Sequence, residues 1–484
     1  MSKSIIYILH FAIYTILLLF FGKGGFKKTN NARDFFVANN SFGVMQSVFT
    51  YCATWFSAAS MQGVTGNVYA YGISTILYSI APWFFGAILH IILSTKLKDY
   101  NVITVPEFLK IRYNSKSLQV LGGLLVVITY TLYIIIQVAG FGIVISELLN
   151  INYFISILLI YLFIIYTTFG GLFSVARTHI LNLTLVIVSI IASAAIVLEA
   201  VGGLEVLFES AALINTKPFT DFTYVTESSG LLHPFAKGQM PASVIFMSFF
   251  GWGLGLSTNP QYATRIISAK DRKTAKKMII YSLIILSILY FGLIIIGLGA
   301  RVLVPTIESI SSVDEVFPYL INNTIYSPFS GLILIGICAA PISTANSQLL
   351  LASSGFTYDI YKNLTNKNIG DNKFLNINRI FIFIVATIAL ILAVEPPQSL
   401  LEYGGYLWGF FSSTFLAPLY GGLFWKRATK QGAIASFIAG IITLIIFIIK
   451  GSKYPSLPGV IVSGITFYIV STYYHHKGSA KDEK

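Results

Sequence analysis

The chain has 484 residues, 55% of them hydrophobic and only 11% charged, with a mean hydropathy of +0.77 and a formal net charge of +13. Soluble globular proteins carry about 25% charged residues, so a chain this poor in charge has lipid as its main solvent, which excludes a secreted enzyme, a cytosolic enzyme and a disordered scaffold. The basic residues lie in short runs between apolar segments, so no basic helix is free to enter a nucleic-acid groove, and two cysteines, Cys52 and Cys338, form no CxxC pair.

Apolar stretches of about 20 residues can cross a bilayer as helices. Thirteen are expected, at about 4–22, 43–66, 71–95, 117–147, 152–169, 178–202, 241–262, 278–303, 328–356, 377–395, 399–425, 432–449 and 455–474. The first is read as an uncleaved span: its apolar run is too long for a signal peptide, has no small-residue cleavage site and is followed by Lys23, Lys27 and Lys28. With the N-terminus outside, alternation of these spans puts 26 of the 32 Lys and Arg residues on the inner face, as the positive-inside rule requires. The expectation is a single all-α integral membrane domain over 1–484, multi-pass in the plasma membrane, with a cytoplasmic C-terminus.

The same census places no Asp, Glu, Lys or Arg near the centre of a span; Glu147, Glu199, Glu395 and Glu402 fall near the outer ends, and Arg265 falls in the inner loop after span seven. Proton pumps need a buried titrating group. An ion held at the midplane here would need neutral oxygens, which suits a hard cation such as sodium. No basic residue falls in the expected cavity, so a solute carboxylate would rest on backbone amides at a broken helix.

Irregular backbone at membrane depth is tolerated only where it is buried in protein or lines a cavity. Span two is crowded with small and hydroxyl residues from Thr50 to Gly63; these favour either local unwinding or close helix packing. Span seven carries Gly251, Gly253 and Gly255 and then Pro260, each a weak point for a helix. Broken helices at spans two and seven, five apart, point to an inverted repeat with a midplane site, its halves at 43–202 and 241–425. In span nine, Pro341 cannot bond the carbonyl one turn earlier, beside the hydroxyls of Ser343 and Thr344.

Several stretches resemble the sodium/solute symporters, in particular the pantothenate and proline branches. They are Tyr166-Thr167-Thr168-Phe169-Gly170-Gly171-Leu172-Phe173-Ser174, the run Trp425 to Ala433 followed by Gly440, and the Ala340-Pro341-Ile342-Ser343-Thr344 segment that continues to Tyr358-Asp359-Ile360-Tyr361-Lys362. Glu395-Pro396-Pro397 and Asn101 to Val105 look like the pantothenate branch. The resemblance implies a five-plus-five inverted-repeat core with one extra helix before it and two after. It also implies a sodium site formed by the carbonyls of Ala53, Phe56 and Ala340 and the hydroxyls of Ser343 and Thr344. The solute would lie beside it against Ser57, Ser60, Gln62, Trp252, Leu256 and Pro260. The chain departs from the family at Trp55, where the proline branch has an aspartate, at Leu256, where it favours a tyrosine, and at Arg177-Thr178-His179, where the family commonly shows Trp-Thr-Asp.

The function implied is sodium-coupled uptake of a small organic solute of pantothenate, monocarboxylate or amino-acid type by alternating access. Alternatives are a sodium/proline or sodium/sugar symporter of the same family, or a transporter-like sensor. Beyond sodium as coupling ion, no cofactor and no obligatory protein partner is implied. The six histidines form no HExxH and no Walker loop is present, so neither a zinc peptidase nor a nucleotide hydrolase is expected.

Overall fold

With no water to bond a free backbone, apolar runs of this length satisfy their peptide groups internally as helices. The computed structural model describes residues 3–25, 28–214, 230–307, 309–365, 370–452 and 454–482, and these are nearly all helical, with no strand among them. Lys27, Lys217, Lys367, Lys453 and Lys484, counted in the charge census above, lie outside the described residues.

The helices are α1 (Lys3–Lys23), α2 (Val44–Trp55), α3 (Val64–Tyr71), α4 (Ala81–Leu97), α5 (Lys116–Leu149), α6 (Tyr153–Thr168), α7 (Gly171–Val201), α8 (Ala242–Ser248), α9 (Leu254–Thr258), α10 (Pro260–Ser268), α11 (Arg272–Leu303), α12 (Ser330–Ser354), α13 (Asp371–Leu392), α14 (Leu400–Phe424), α15 (Lys430–Ile449) and α16 (Ser456–Asp482). Among the described residues, nine helices are long and apolar enough to cross a membrane. The interrupted segments 44–71 and 242–268, α6 and α14 stand outside that nine.

Burial sorts the helices into centre and periphery. The most apolar window of α12 is 94% buried, against 22% for α1 and 28% for α16. Ile8, Phe20, Ile465 and Ile469 are exposed large apolar side chains on those two outer helices, as surfaces facing lipid should be. The prolines Pro341 in α12 and Pro418 in α14 sit inside uninterrupted helices.

Successive loops alternate between two ends. At one end Arg272 pairs with Asp99, Lys96 Nζ donates to Leu423 O at 3.2 Å, and Arg112 Nε donates to Gly422 O at 2.6 Å. At the other, Tyr69 donates to Val304 O at 2.9 Å, Tyr153 to Ala393 O at 2.8 Å, and Asp314 accepts from Leu400 N at 2.9 Å. These are called the basic and the acidic end below. At the basic end the backbone of Phe42 clasps the segment after α10, through Phe42 N to Ser268 O at 3.2 Å and Lys270 N to Phe42 O at 3.0 Å.

Candidate ion and solute site at the helix breaks

A helix leaves its last four carbonyls without intrahelical partners, and buried carbonyls need partners from somewhere. At the end of α2, Phe56 turns extended (φ −70, ψ 115) and Ser57 to Ala59 lead into a π-turn over Ala59–Gly63. The carbonyls thus freed are met by side chains. Ala53 O accepts from Ser343 Oγ at 2.8 Å, Thr54 O from Gln261 Nε2 at 2.9 Å, Trp55 O from Ser60 Oγ at 3.2 Å, and Phe56 O from Thr344 Oγ1 at 2.7 Å. The freed amide of Ala58 donates to Gln137 Oε1 at 3.1 Å.

Two of these partners come from one turn of α12. Ser343 Oγ is also 2.8 Å from Ala340 O, within its own helix. The structure therefore brings all five oxygens of the expected ion cradle to one place, on residues at most 1% exposed. Each hydroxyl keeps lone pairs beyond its own donated proton, and each carbonyl has a second one. Five neutral oxygens suit a hard monovalent cation, because they solvate its charge without adding a net negative one.

The second break lies later in the chain than the glycine run suggests. Gly251 and Gly253 fall in a π-turn over Phe249–Gly253, and the helix resumes as α9, which contains Gly255, before opening at Asn259 (φ −68, ψ 121). Pro260 then starts α10, where its missing amide costs nothing. Asn259 Oδ1 caps Gln261 N at 2.9 Å and accepts from Tyr130 at 2.5 Å. Gln261 joins the two breaks through its bond to Thr54 O.

Four residues further on, Arg265 corrects the charge census. It lies not in an inner loop but within α10, 2% exposed, with Nε 3.0 Å from Thr54 Oγ1 and Nη2 2.6 Å from Ser347 Oγ. A fixed positive charge therefore stands one residue from the cradle.

The expected solute residues do not form a single wall. Ser57 and Ser60 lie together (Oγ to Oγ 3.5 Å), and Tyr290 donates to Ser60 at 3.3 Å. Trp252 packs edge-on against Trp83 and Trp408, with ring centroids 5.1 and 5.0 Å apart. Its other side lines a cavity of about 180 Å³ toward the acidic end, with Tyr78, Glu402 and Tyr406. Leu256 is buried under Gly86, where an added Cβ would stand 2.9 Å from its own Cβ. Gln62 points away, its amide 3.5 Å from Asp314 O. A larger cavity of about 970 Å³ lies at the acidic end between Glu147, Glu315 and Pro396, away from both breaks.

Sequence reasoning missed Gln137, Gln261, Arg265, Tyr290, Trp83 and Trp408. Only Gln261 and Arg265 carried a local signal: they follow the Asn259-Pro260 pair, which restarts a helix as readily as it ends one. The others lie on helices whose faces the sequence alone does not orient.

The model of the sodium:solute symporter family matches residues 35–440. The chain belongs to this family. Across the symporters, it is 27% identical to the osmoregulated proline transporter OpuE of Bacillus subtilis over 97% of this chain and 95% of the relative. It is also 27% identical to sodium/proline symporter 2 of Staphylococcus saprophyticus, over 96% and 93%. A sodium-coupled sialic acid symporter in a substrate-bound, outward-open state superposes with a TM-score of 0.79 at 19% identity, over 97% of each chain. A nucleobase-cation-symport-1 family transporter in a closed conformation gives 0.56 at 12% identity, over 93% and 96%. These two likenesses establish the fold.

The symporter departures acquire places in the structure. The Trp55 indole donates to Tyr290 at 2.8 Å, and His179, where the family commonly has aspartate, bonds through Nε2 to Ser343 O at 2.9 Å. His179 thus holds the backbone of a cradle residue without adding charge to it.

Proposed function

We propose that this symporter carries a small organic solute of amino-acid, monocarboxylate or pantothenate type into the cell, driven by sodium, through alternating access in the plasma membrane. The observation that carries the reading is the meeting of Ala53, Phe56, Ala340, Ser343 and Thr344 oxygens at the end of α2. The proline substrates named for the relatives favour the amino-acid type.

In this reading the N-terminus is outside and the basic end faces the cytoplasm. The segments 44–71 and 242–268 are the first helices of the two halves, 43–202 and 241–425, of an inverted repeat, each broken where the other is approached. Sodium binds at the cradle and stiffens the junction of α2 with α12. The solute occupies the space beside Ser57, Ser60, Trp252 and Pro260, reached past Trp252 from the acidic end. The chain's own residues bind, orient and enclose; the reading involves no chemical step and no enzyme activity.

The driving force suffices. A tenfold sodium gradient supplies about 1.4 kcal/mol and a potential of 100 mV about 2.3 kcal/mol per charge. Together they support roughly 500-fold accumulation of a neutral solute with one sodium. The test is uptake into proteoliposomes with inward sodium or potassium gradients, screened over proline, pantothenate, short monocarboxylates and sugars. Accumulation of one class under sodium alone supports the reading; equal uptake under potassium refutes it.

A further inference from the structure

Arg265 is the feature that sodium binding does not explain. A guanidinium stays protonated in proteins, and a buried charge is stable only when paired. Arg265 is 2% exposed, yet its two hydrogen-bond partners, Thr54 and Ser347, are neutral hydroxyls. Its remaining terminal nitrogen, Nη1, is buried without a partner. The other groups within electrostatic reach, Tyr130 and His179, supply no carboxylate.

Two further observations point to a ligand of negative charge. Asn346, next to Ser347, accepts from Thr167 and Thr168 at 2.7 and 3.1 Å, while its buried Nδ2 donor has no partner. A cavity of about 550 Å³ at the basic end is lined by Lys28 and Arg177. Its wall includes Phe49 and Ile180, the chain neighbours of Thr50 and His179. A basic vestibule, an unpaired guanidinium and an unpaired amide donor thus lie around the α2–α12 junction.

We propose that the Arg265 guanidinium seats a small monovalent anion, either the carboxylate of the solute on its way to the basic end or chloride from solution, and that this anion tightens sodium binding. The inference rests on the sodium-coupled reading above. Thr54 is the link: its hydroxyl accepts from Arg265, while its carbonyl accepts from Gln261 and lies 3.4 Å from the Thr344 hydroxyl. Sodium in the cradle and the guanidinium repel each other at this range. An anion on Arg265 cancels that repulsion, and by linkage sodium strengthens anion binding by the same factor. The preference falls on solutes with a carboxylate, whether simple acids or zwitterions.

The test is thermal unfolding of the purified full-length protein against sodium concentration in four backgrounds. These are a bulky sulfonate salt, chloride, propionate, and the sulfonate with added proline. The half-stabilising sodium concentration should fall about fivefold or more in at least one of the last three relative to sulfonate alone. A fall with chloride identifies a halide seat. A fall with propionate or proline but not chloride identifies the solute's carboxylate. His179→Asp, which supplies a fixed carboxylate in reach of Arg265, should abolish the anion dependence. Arg265→Gln should abolish it too and lower the sodium requirement in sulfonate. Sodium stabilisation that is identical in all four backgrounds would overturn the anion seat while leaving sodium coupling intact. Absence of any sodium stabilisation would instead overturn the sodium-coupled reading, and the proposal with it.

Discussion

The hydroxyl of Thr344 lies 2.7 Å from the carbonyl of Phe56, joining residues 288 positions apart at the point where α2 gives up its helical hydrogen bonds. One residue earlier, Ser343 makes the corresponding bond to Ala53 at 2.8 Å. The junction is thus made by two hydroxyls on one turn of α12 and two carbonyls on one turn of α2, and replacing either hydroxyl should be felt by any ion shared between them.

Ser343→Ala and Thr344→Ala should each raise the sodium concentration for half-maximal uptake about tenfold, equivalent to about 1.4 kcal/mol. Each change removes one oxygen and leaves a buried carbonyl short of a partner, at a cost of about 1–3 kcal/mol. Uptake against sodium concentration in proteoliposomes, normalised to folded protein, measures the effect. An unchanged sodium dependence in both variants would remove these hydroxyls from the ion site.

Gly66→Ala should block closure at the acidic end. An added Cβ there would stand 2.0 Å from Val313 O, and a backbone oxygen cannot yield that distance without the short 313–315 turn lifting. Sodium binding should persist while transport slows. A cysteine at Ser312 should label faster in the variant than in the parent, and equal labelling would show that the turn does not seat on α3.

Much of this was legible in the chain. The hydroxyl-rich run from Thr50 to Gly63 marks the α2 break because Ser and Thr offer the backbone other partners. The α12 residues followed from the family pattern. The second break falls in the expected span, at its proline end rather than among its glycines: glycines weaken a helix without deciding where it opens, and Asn259, whose side chain caps the next helix, decides that. Arg265 was counted as a loop residue for a related reason. Hydropathy ends a span at its first polar run, yet Gln261 and Arg265 in α10 are shielded by protein rather than lipid. Gln62 was placed at the solute because it follows the break, but the π-turn rotates it toward Asp314.

Asp314 gives a pH dependence. It lies in the 313–315 turn, outside the membrane-spanning helices, and burial pushes its carboxyl up to about 7 against the partial offset of the Leu400 amide. A carboxyl raised on folding binds its proton more tightly in the folded state. Its stabilising contribution is therefore complete below the unfolded value near 4 and is lost as pH rises through about 7. Asp314→Asn should flatten the decline in melting temperature between about pH 4 and 7. A parent and variant with parallel profiles would remove Asp314 as the cause.

Trp252→Phe should weaken solute binding while leaving the sodium dependence in place. The indole touches Trp83 and Trp408 on one side and the cavity toward Glu402 on the other, whereas the cradle lies on α2 and α12. Trp252→Ala should additionally lower stability by about 3–5 kcal/mol, visible as a fall in melting temperature. If Phe lowered stability with solute affinity unchanged, Trp252 would be a packing residue alone.

The most direct test of the ion cradle is equilibrium binding of radioactive sodium to the purified protein and to the Ser343→Ala/Thr344→Ala double variant. The parent should bind sodium saturably, and the double variant, less stable but shown to be folded by its far-ultraviolet circular dichroism and monodisperse elution, should lose that binding. Equal affinity in the two proteins would contradict a cradle built from the ends of α2 and the Ser343–Thr344 turn.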